Sequence, residues 1–173
     1  MRTAIALPGR LVEAIRRRGH DVETLVIAAI EDRLELDPSE ELETRLEIAK
    51  HMLRRGLEEL ERGDAVQASE KLYKAVEECI KILACLEELE ECRVGKEVGW
   101  WTKLLSRAAR KLSSKLGLEM IRIAWEEGYD LHVHGFREHG LGIDEVKQSV
   151  PIIEKLVEYT EKRLRSGDRS SRS

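Results

Sequence analysis

The feature that most constrains this chain is the apolar spacing across residues 37–92. Leu42, Leu46, Ala49, Leu53, Leu57 and Leu60 recur at intervals of three and four, the repeat of one face of an α-helix. Asp37-Pro38-Ser39-Glu40 starts that helix: Asp37 caps it, Pro38 suits the first helical position, and Glu40 closes a capping box. Gly63-Asp64 then places a stop and a new cap side by side. The next helix carries Ala65, Ala68, Leu72, Ala75, Cys79, Leu83, Leu86 and Leu89. Two long helices joined this tightly fold back as an antiparallel hairpin, and Ala65, Ala68 and Ala75 let them approach closely.

The rest of the chain extends this plan. Gly95 to Gly99 marks a break, after which Trp101, Leu104, Leu105, Ala108, Leu112 and Leu116 trace a further helix that Gly117 ends. Met120, Ile121, Ala124 and Trp125 define a shorter one that fades near Gly128. Residues 131–142 read as an irregular loop. Asp144 caps a last helix bearing Val146, Val150, Ile153, Val157 and Leu164, with a kink or restart expected at Pro151. From Arg165 the composition is Ser, Arg, Gly and Asp, and a disordered tail is expected over 165–173. The core is aliphatic, because only one Phe, three Tyr and three Trp occur. The fold class is therefore all-α: an antiparallel bundle of about five helices over 37–164.

Residues 1–36 form a small extension. Ile5 and Leu7 alternate with Ala4 and Ala6, a weak strand signal ended by Pro8. A short helix with Leu11, Val12 and Ile15 follows. Gly19 stops it, and Asp21 caps a second helix carrying Val22, Leu25, Val26, Ala29, Ile30 and Leu34. The order resembles a ribbon–helix–helix DNA-binding module, whose strand reads bases with outward side chains. Here only Arg2 and Thr3 are polar candidates, so an arm that packs on the bundle or on a partner is the stronger expectation.

Charge is plentiful and unevenly spread. The chain has 30 Lys and Arg, 34 Asp and Glu, no Asn and two Gln. Many charges with few thermolabile amides suggest a thermophile's protein. Residues 1–36 have net charge 0, residues 37–92 net −8 and residues 93–173 net +4. Lys103, Arg107, Arg110, Lys111 and Lys115 form a cationic stripe. It reads as a phosphate or RNA contact surface, or as one side of an ion-pair network with the acidic hairpin. Gln67, Lys71 and Lys74 share a helix face and read as a solvent face or, less favoured, as the lining of a groove.

His132, His134 and His139 fall within eight residues, beside Arg137 and Glu138. In an extended segment His132 and His134 point the same way, and Glu138 or His139 would complete a metal site. Alternatively His132 or His134, with Arg137, lines an acid–base or phosphate site acting on RNA. The bland alternative makes His132 a buried, hydrogen-bonded residue at a helix end and the others exposed loop groups. Cys79, Cys85 and Cys92 match no common zinc spacing and read as reduced packing residues of a cytoplasmic protein. No apolar run is long enough for a membrane helix, and no phosphate loop, His-Glu-x-x-His or Gly-x-Ser-x-Gly motif calls for a cofactor or marks a known catalytic site.

The run from Leu60 to Ala75, with Gly63-Asp64 and Gln67-Ala-Ser-Glu-Lys71, resembles the signature of the archaeal PaREP family. So does Trp125 followed by Tyr129-Asp-Leu-His-Val-His-Gly-Phe-Arg-Glu138. Leu7-Pro8 and Gly19-His-Asp-Val-Glu23 resemble its N-terminal lead. The likeness spans about residues 5–163. It implies a bundle similar to HEPN domains, whose members dimerise, bind nucleotides or RNA, and often act as ribonucleases or as halves of toxin–antitoxin pairs. The ribonucleases carry Arg, four to six residues, then His on a late helix. Arg122 precedes His132 by ten positions, no other arginine is read as standing correctly before a histidine, and the expectation is that this pairing is absent. The resemblance thus points to a non-catalytic homodimer binding RNA or nucleotides, with Lys103, Arg107, Arg110 and Lys111 on phosphates and His132, His134 and Arg137 lining the site. The rivals are a protein-interaction module without a ligand and a ribonuclease with rearranged catalytic residues at His132.

Overall fold

The computed structural model describes residues 3–171, with side chains through 167. The chain divides into two compact units, residues 1–35 and 36–173.

The first unit holds α1 (Gly9–Arg17) and α2 (Val22–Glu31). Gly19, at φ +73°, makes the turn that a residue with a Cβ would resist. Asp21 caps α2 by accepting a hydrogen bond from the Thr24 amide at 2.8 Å. The expected strand is absent among the described residues: residues 3–8 belong to no regular element. Alternation alone does not make a strand, because the ladder bonds need a second chain segment. Thr3 is exposed, and Arg2 lies outside the described residues. Leu34 lies beyond the end of α2.

The second unit holds α3 (Pro38–Glu61), α4 (Ala65–Leu86), α5 (Glu90–Val98), α6 (Thr102–Leu116), α7 (Glu119–Asp130), a π-helical segment (Leu131–Arg137) and α8 (Ile143–Ser171). No strand occurs among the described residues, and the fold is all-α. Asp37 accepts from the Ser39 and Glu40 amides, both at 3.0 Å. Asp64 accepts from the Gln67 amide at 2.9 Å. The hairpin is closed as its caps dictate.

α4 is the axle of the unit. It packs against α3, α5, α6, α7, the π-helical segment and α8. All its residues from 68 to 84 except Glu77 are buried. Its apolar side chains, among them Leu72, Val76, Cys79, Ile80 and Leu83, join Ala49 and Leu60 of α3, Leu105 and Leu112 of α6, Ile121 and Trp125 of α7, and Ile153 and Leu156 of α8 in one core. The solvent face expected for Lys71 and Lys74 therefore does not exist; both are buried.

Several boundaries differ from the sequence expectation. α5 is a separate helix, set off by a tight turn in which Glu88 adopts φ +53°. Trp100, half-buried, packs on the core, with its ring against Gly95, while Trp101 is exposed. The stretch expected to be an irregular loop continues α7 as a π-helix. α8 begins at Ile143, so Asp144 lies in its first turn rather than before it, and the helix runs through Pro151. It also continues to Ser171, where a disordered tail was the expectation. Arg165 pairs with Glu161 one turn back, and the Ser166 hydroxyl donates to the Lys162 carbonyl. Among the described residues, no helix is long and apolar enough to cross a membrane.

The cysteines also depart from expectation. Cys85 and Cys92 form a disulfide, with Cα atoms 5.0 Å apart; only Cys79 is a free, buried thiol. The turn between α4 and α5 brings the end of one helix over the start of the next. Two cysteines seven residues apart thus meet across a bend rather than along a single helix.

Candidate functional site

Three chemical groupings emerge, each held by different elements. The first is built where the π-helical segment crosses α4. A Cβ on Gly135 would lie 2.2 Å from the Ser69 Oγ, so only glycine allows this approach. A Cβ on Gly128 would stand 3.1 Å from Val76. The close crossing puts the His132 ring beside α4. Its Nδ1 lies 2.8 Å from a Glu70 carboxylate oxygen. The ring packs on Tyr73 at 4.4 Å between centroids, tilted by 30°, and stands 6.2 Å from Phe136. Trp125 lies 6.1 Å from Tyr73, and Tyr129 lies 6.1 Å from Trp125. Burial, then Glu77 and Glu70, push the Tyr73 hydroxyl pKa up, so that group stays protonated. A carboxylate holding one imidazole nitrogen fixes the ring's orientation.

Gly135→Ala is expected to lower stability by about 1–3 kcal/mol and to part His132 from Glu70. Gly9→Ala, where a Cβ meets nothing within 4 Å, serves as the control and leaves the melting temperature unchanged. Equilibrium denaturation of the two variants checks this.

His134 is not part of that arrangement. It is exposed, with Nδ1 2.6 Å from Glu138 and Nε2 3.7 Å from Asp130. The Glu138 carboxylate raises its pKa. The expectation that His132 and His134 point the same way fails because the segment is helical: residues two apart lie on nearly opposite sides of a helix and on one side of a strand. Arg137 and His139 are exposed. Among the described residues no three His, Cys, Asp or Glu side chains gather as a metal site would require. His132, His134, His139 and Glu138 thus do not form one centre.

The second grouping is the cationic face of α6. Lys103, Arg107, Arg110, Lys111 and Lys115 are all exposed. Two carboxylates oppose them. Glu91 lies 2.7 Å from Lys111 and 3.4 Å from Arg107. Glu87 lies 3.4 Å from Lys115 and 2.6 Å from Arg163, and its carbonyl accepts from Lys115 at 2.6 Å. Burial raises the Glu91 pKa, but Lys111 and Arg107 outweigh it and hold it low. Lys103 and Arg110 have no carboxylate at ion-pair distance among the described residues. Part of the stripe is therefore an ion-pair network with the acidic hairpin, and part faces solvent. α6 packs on α4, α5 and α7, whereas the π-helical segment packs on α4 and α7. The candidate phosphate ligands and the histidines form two places, not one.

The third grouping is one that sequence reading missed. Glu78 is fully buried. Lys74 lies 2.7 Å from it, Arg45 2.8 Å and Lys81 3.0 Å. Glu77 joins at 2.6 Å from Lys81 and 3.3 Å from Lys74. Burial raises both carboxyl pKa values, but Lys81 and Lys74 prevail, holding Glu77 at about 2 and, with Arg45, Glu78 well below the usual range. A signal existed: α4 has apolar residues on every face, the mark of a buried helix, while its charges fall at spacings of three and four that let them neutralise one another.

An arginine and a histidine at the ribonuclease spacing do occur on α3, as Arg45 and His51. Arg45 is held between Glu41 and Glu78, and His51 lies against Arg54 at 3.2 Å. Arg122, ten positions before His132, is bonded to Glu119 and Glu126.

The unit is thus an all-α bundle wound around a buried, charged central helix, carrying a carboxylate–histidine pair and a cationic helix face. The family model for the archaeal PaREP1/PaREP8 family matches residues 44–157, and the chain belongs to that family. A crystal structure of a Sulfolobus solfataricus protein, a structural-genomics target, is similar at 36% identity with a TM-score of 0.62, covering 68% of this chain and 96% of that one. A solution structure of the same target has 37% identity and a TM-score of 0.59, covering 68% and 91%. No curated protein matches the chain.

Proposed function

We propose that this chain is a HEPN-like, non-catalytic protein that binds RNA or nucleotide phosphates as a homodimer, using the exposed face of α6. The observation that carries the reading is the imbalance there: five exposed cations against the carboxylates of Glu91 and Glu87. Lys103 and Arg110 are the phosphate ligands that give up no ion pair on binding. Arg107 and Lys111 share Glu91 and contribute more weakly. Arg137 and His134, exposed on the π-helical segment, would make a second, separate contact with the same RNA. The cytoplasm of a heat-adapted cell suits this reading, since intracellular disulfides occur in proteins of hyperthermophilic archaea.

With two phosphates neutralised by the unpaired Lys103 and Arg110, single-stranded RNA affinity is expected to fall with salt at a log–log slope of about −1.4. Lys103→Glu with Arg110→Glu abolishes retention, and Arg107→Glu weakens it. Fluorescence anisotropy with a labelled oligoribonucleotide at two salt concentrations measures both. No binding at low salt, or binding unchanged by the double substitution, defeats the reading.

The carboxylate-held His132 favours a second reading, a weak ribonuclease with rearranged catalytic groups. RNA cleavage lost in His132→Ala supports it; cleavage unaffected by that change excludes this site.

A further inference from the structure

The bundle treats its three tryptophans differently. Trp125 is buried and Trp100 half-buried, whereas Trp101 is 46% exposed. The backbone between α5 and α6 decides which of the neighbouring pair goes in. Gly99, at φ +89°, turns the chain out of α5. Trp100 then lays its ring on Gly95, where a Cβ would stand 2.3 Å from it, and packs on the core. Trp101 follows in extended backbone, at φ −134° and ψ 160°. Successive side chains of an extended segment point to opposite sides, so one ring inside leaves the next outside. Among the described residues the Trp101 ring stacks on no other ring.

The surroundings of Trp101 in the chain are cationic. Residues 93–117 hold seven Lys and Arg against one acid, Glu97, and Arg93 already pairs with that acid. Lys103 stands two residues after Trp101, within about 7 Å between Cα atoms. Arg110 lies two helical turns beyond Lys103 on the same face of α6. These are the two cations of the stripe that have no carboxylate at ion-pair distance among the described residues.

We infer that Trp101 is a base-stacking platform, so that α6 takes single-stranded RNA with its backbone on Lys103 and Arg110 and a base on the indole. The inference rests on the RNA reading of α6 and adds to it a choice of strand. Free phosphate would answer the cations and leave the ring in water. A duplex would answer them too, but its bases are stacked on one another and offer the ring no face. A single strand supplies both a charged backbone and open base faces, the pairing that cationic grooves with exposed aromatics use. Every base has a π-face, so little sequence preference is expected.

The test is fluorescence anisotropy with a labelled mixed-sequence oligoribonucleotide, an abasic ribose-phosphate strand of the same length and the matching RNA duplex. Wild type is expected to bind the base-bearing strand about 10-fold more tightly than the abasic one, and more tightly than the duplex. Trp101→Ala is expected to erase the preference over the abasic strand while keeping the wild-type salt slope, because it removes no phosphate contact. Trp101→Phe keeps most of the preference. The melting temperature of both variants stays at the wild-type value. A wild type that binds the base-bearing and abasic strands equally overturns the inference. So does a Trp101→Ala variant that keeps the preference, which would leave the exposed ring to a protein contact, or one that melts lower, which would assign the ring to the fold. Binding that Lys103→Glu with Arg110→Glu abolishes and Trp101→Ala does not touch defeats the platform alone; no binding at low salt defeats the RNA reading with it.

Discussion

Glu78→Ala is expected to destabilise the bundle by about 3–5 kcal/mol, the cost of leaving buried cations without their partner. Glu78 has no exposed surface and is the common acceptor for Arg45, Lys74 and Lys81. Its removal takes the shared acceptor from Lys74 and Lys81, both buried, which Glu77 also contacts. Replacing the set together, Lys74→Met, Glu77→Gln, Glu78→Leu and Lys81→Met, is expected to cost far less, because apolar or neutral groups of similar size need no counter-charge, and Arg45 keeps Glu41. Urea denaturation of the two variants separates these outcomes. A Glu78→Ala loss below about 1 kcal/mol would mean that water reaches the site.

The same network sets an acid limit. Both carboxyls titrate lower in the folded chain than in the unfolded one. Between the ordinary glutamate range and about 2, the folded value for Glu77, the unfolded chain binds more protons. The network's stabilisation is therefore fully present above about pH 4.5 and is lost as pH falls toward 2. Denaturation midpoints at pH 7, 4.5 and 3 should hold between the first two and drop at the third. Glu78→Ala removes part of that drop.

Cys85→Ser with Cys92→Ser is the second large effect: about 2–3 kcal/mol from restored freedom in the unfolded chain. The bridge closes a loop over seven residues of sequence, so the expected loss sits toward the lower end of what disulfides contribute. Its location gives it a second consequence. Glu87 and Glu91 both lie within the loop closed by the bridge, and they hold Arg107, Lys111, Lys115 and Arg163. Reduction by a dithiol loosens the counter-anions of α6 along with the turn. Calorimetry with and without reductant measures the stability change. Thiol titration in denaturant without reductant should find one group, Cys79; finding three rejects the bridge. In the folded protein Cys79 should not react, because burial pushes its pKa up to about 12 and thiolate is the reactive form.

Much of the hairpin was legible because its signals are local. Asp37 and Asp64 cap helices with their own side chains three residues or fewer from the amides they satisfy. Gly117 stops α6 in the left-handed conformation expected of it. The leucine spacing of α3 faces α4 as its period requires. Other features were hidden because they depend on segments distant in sequence. The His132–Glu70 pair joins residues 62 apart. It exists because glycine at 135 lets the π-helical segment lie against Ser69, and its helical rather than extended backbone turns His134 away. The Cys85–Cys92 bridge required the position of the α4–α5 turn, which a helical wheel does not contain.

The sequence by itself determined the helices of the hairpin, their caps and the lopsided charge, because propensity, periodicity and capping act within one or two turns. Only the tertiary structure decided which charges became solvent-facing and which were sealed. Lys74 and Lys81 look like surface residues until six neighbouring elements close around α4. Lys103 and Arg110 stay exposed because α6 packs at the rim. The side-chain chemistry is the same in both places. Burial and the nearest carboxylate separate a structural charge from an available one, and neither is a property of the residue's own neighbourhood in sequence.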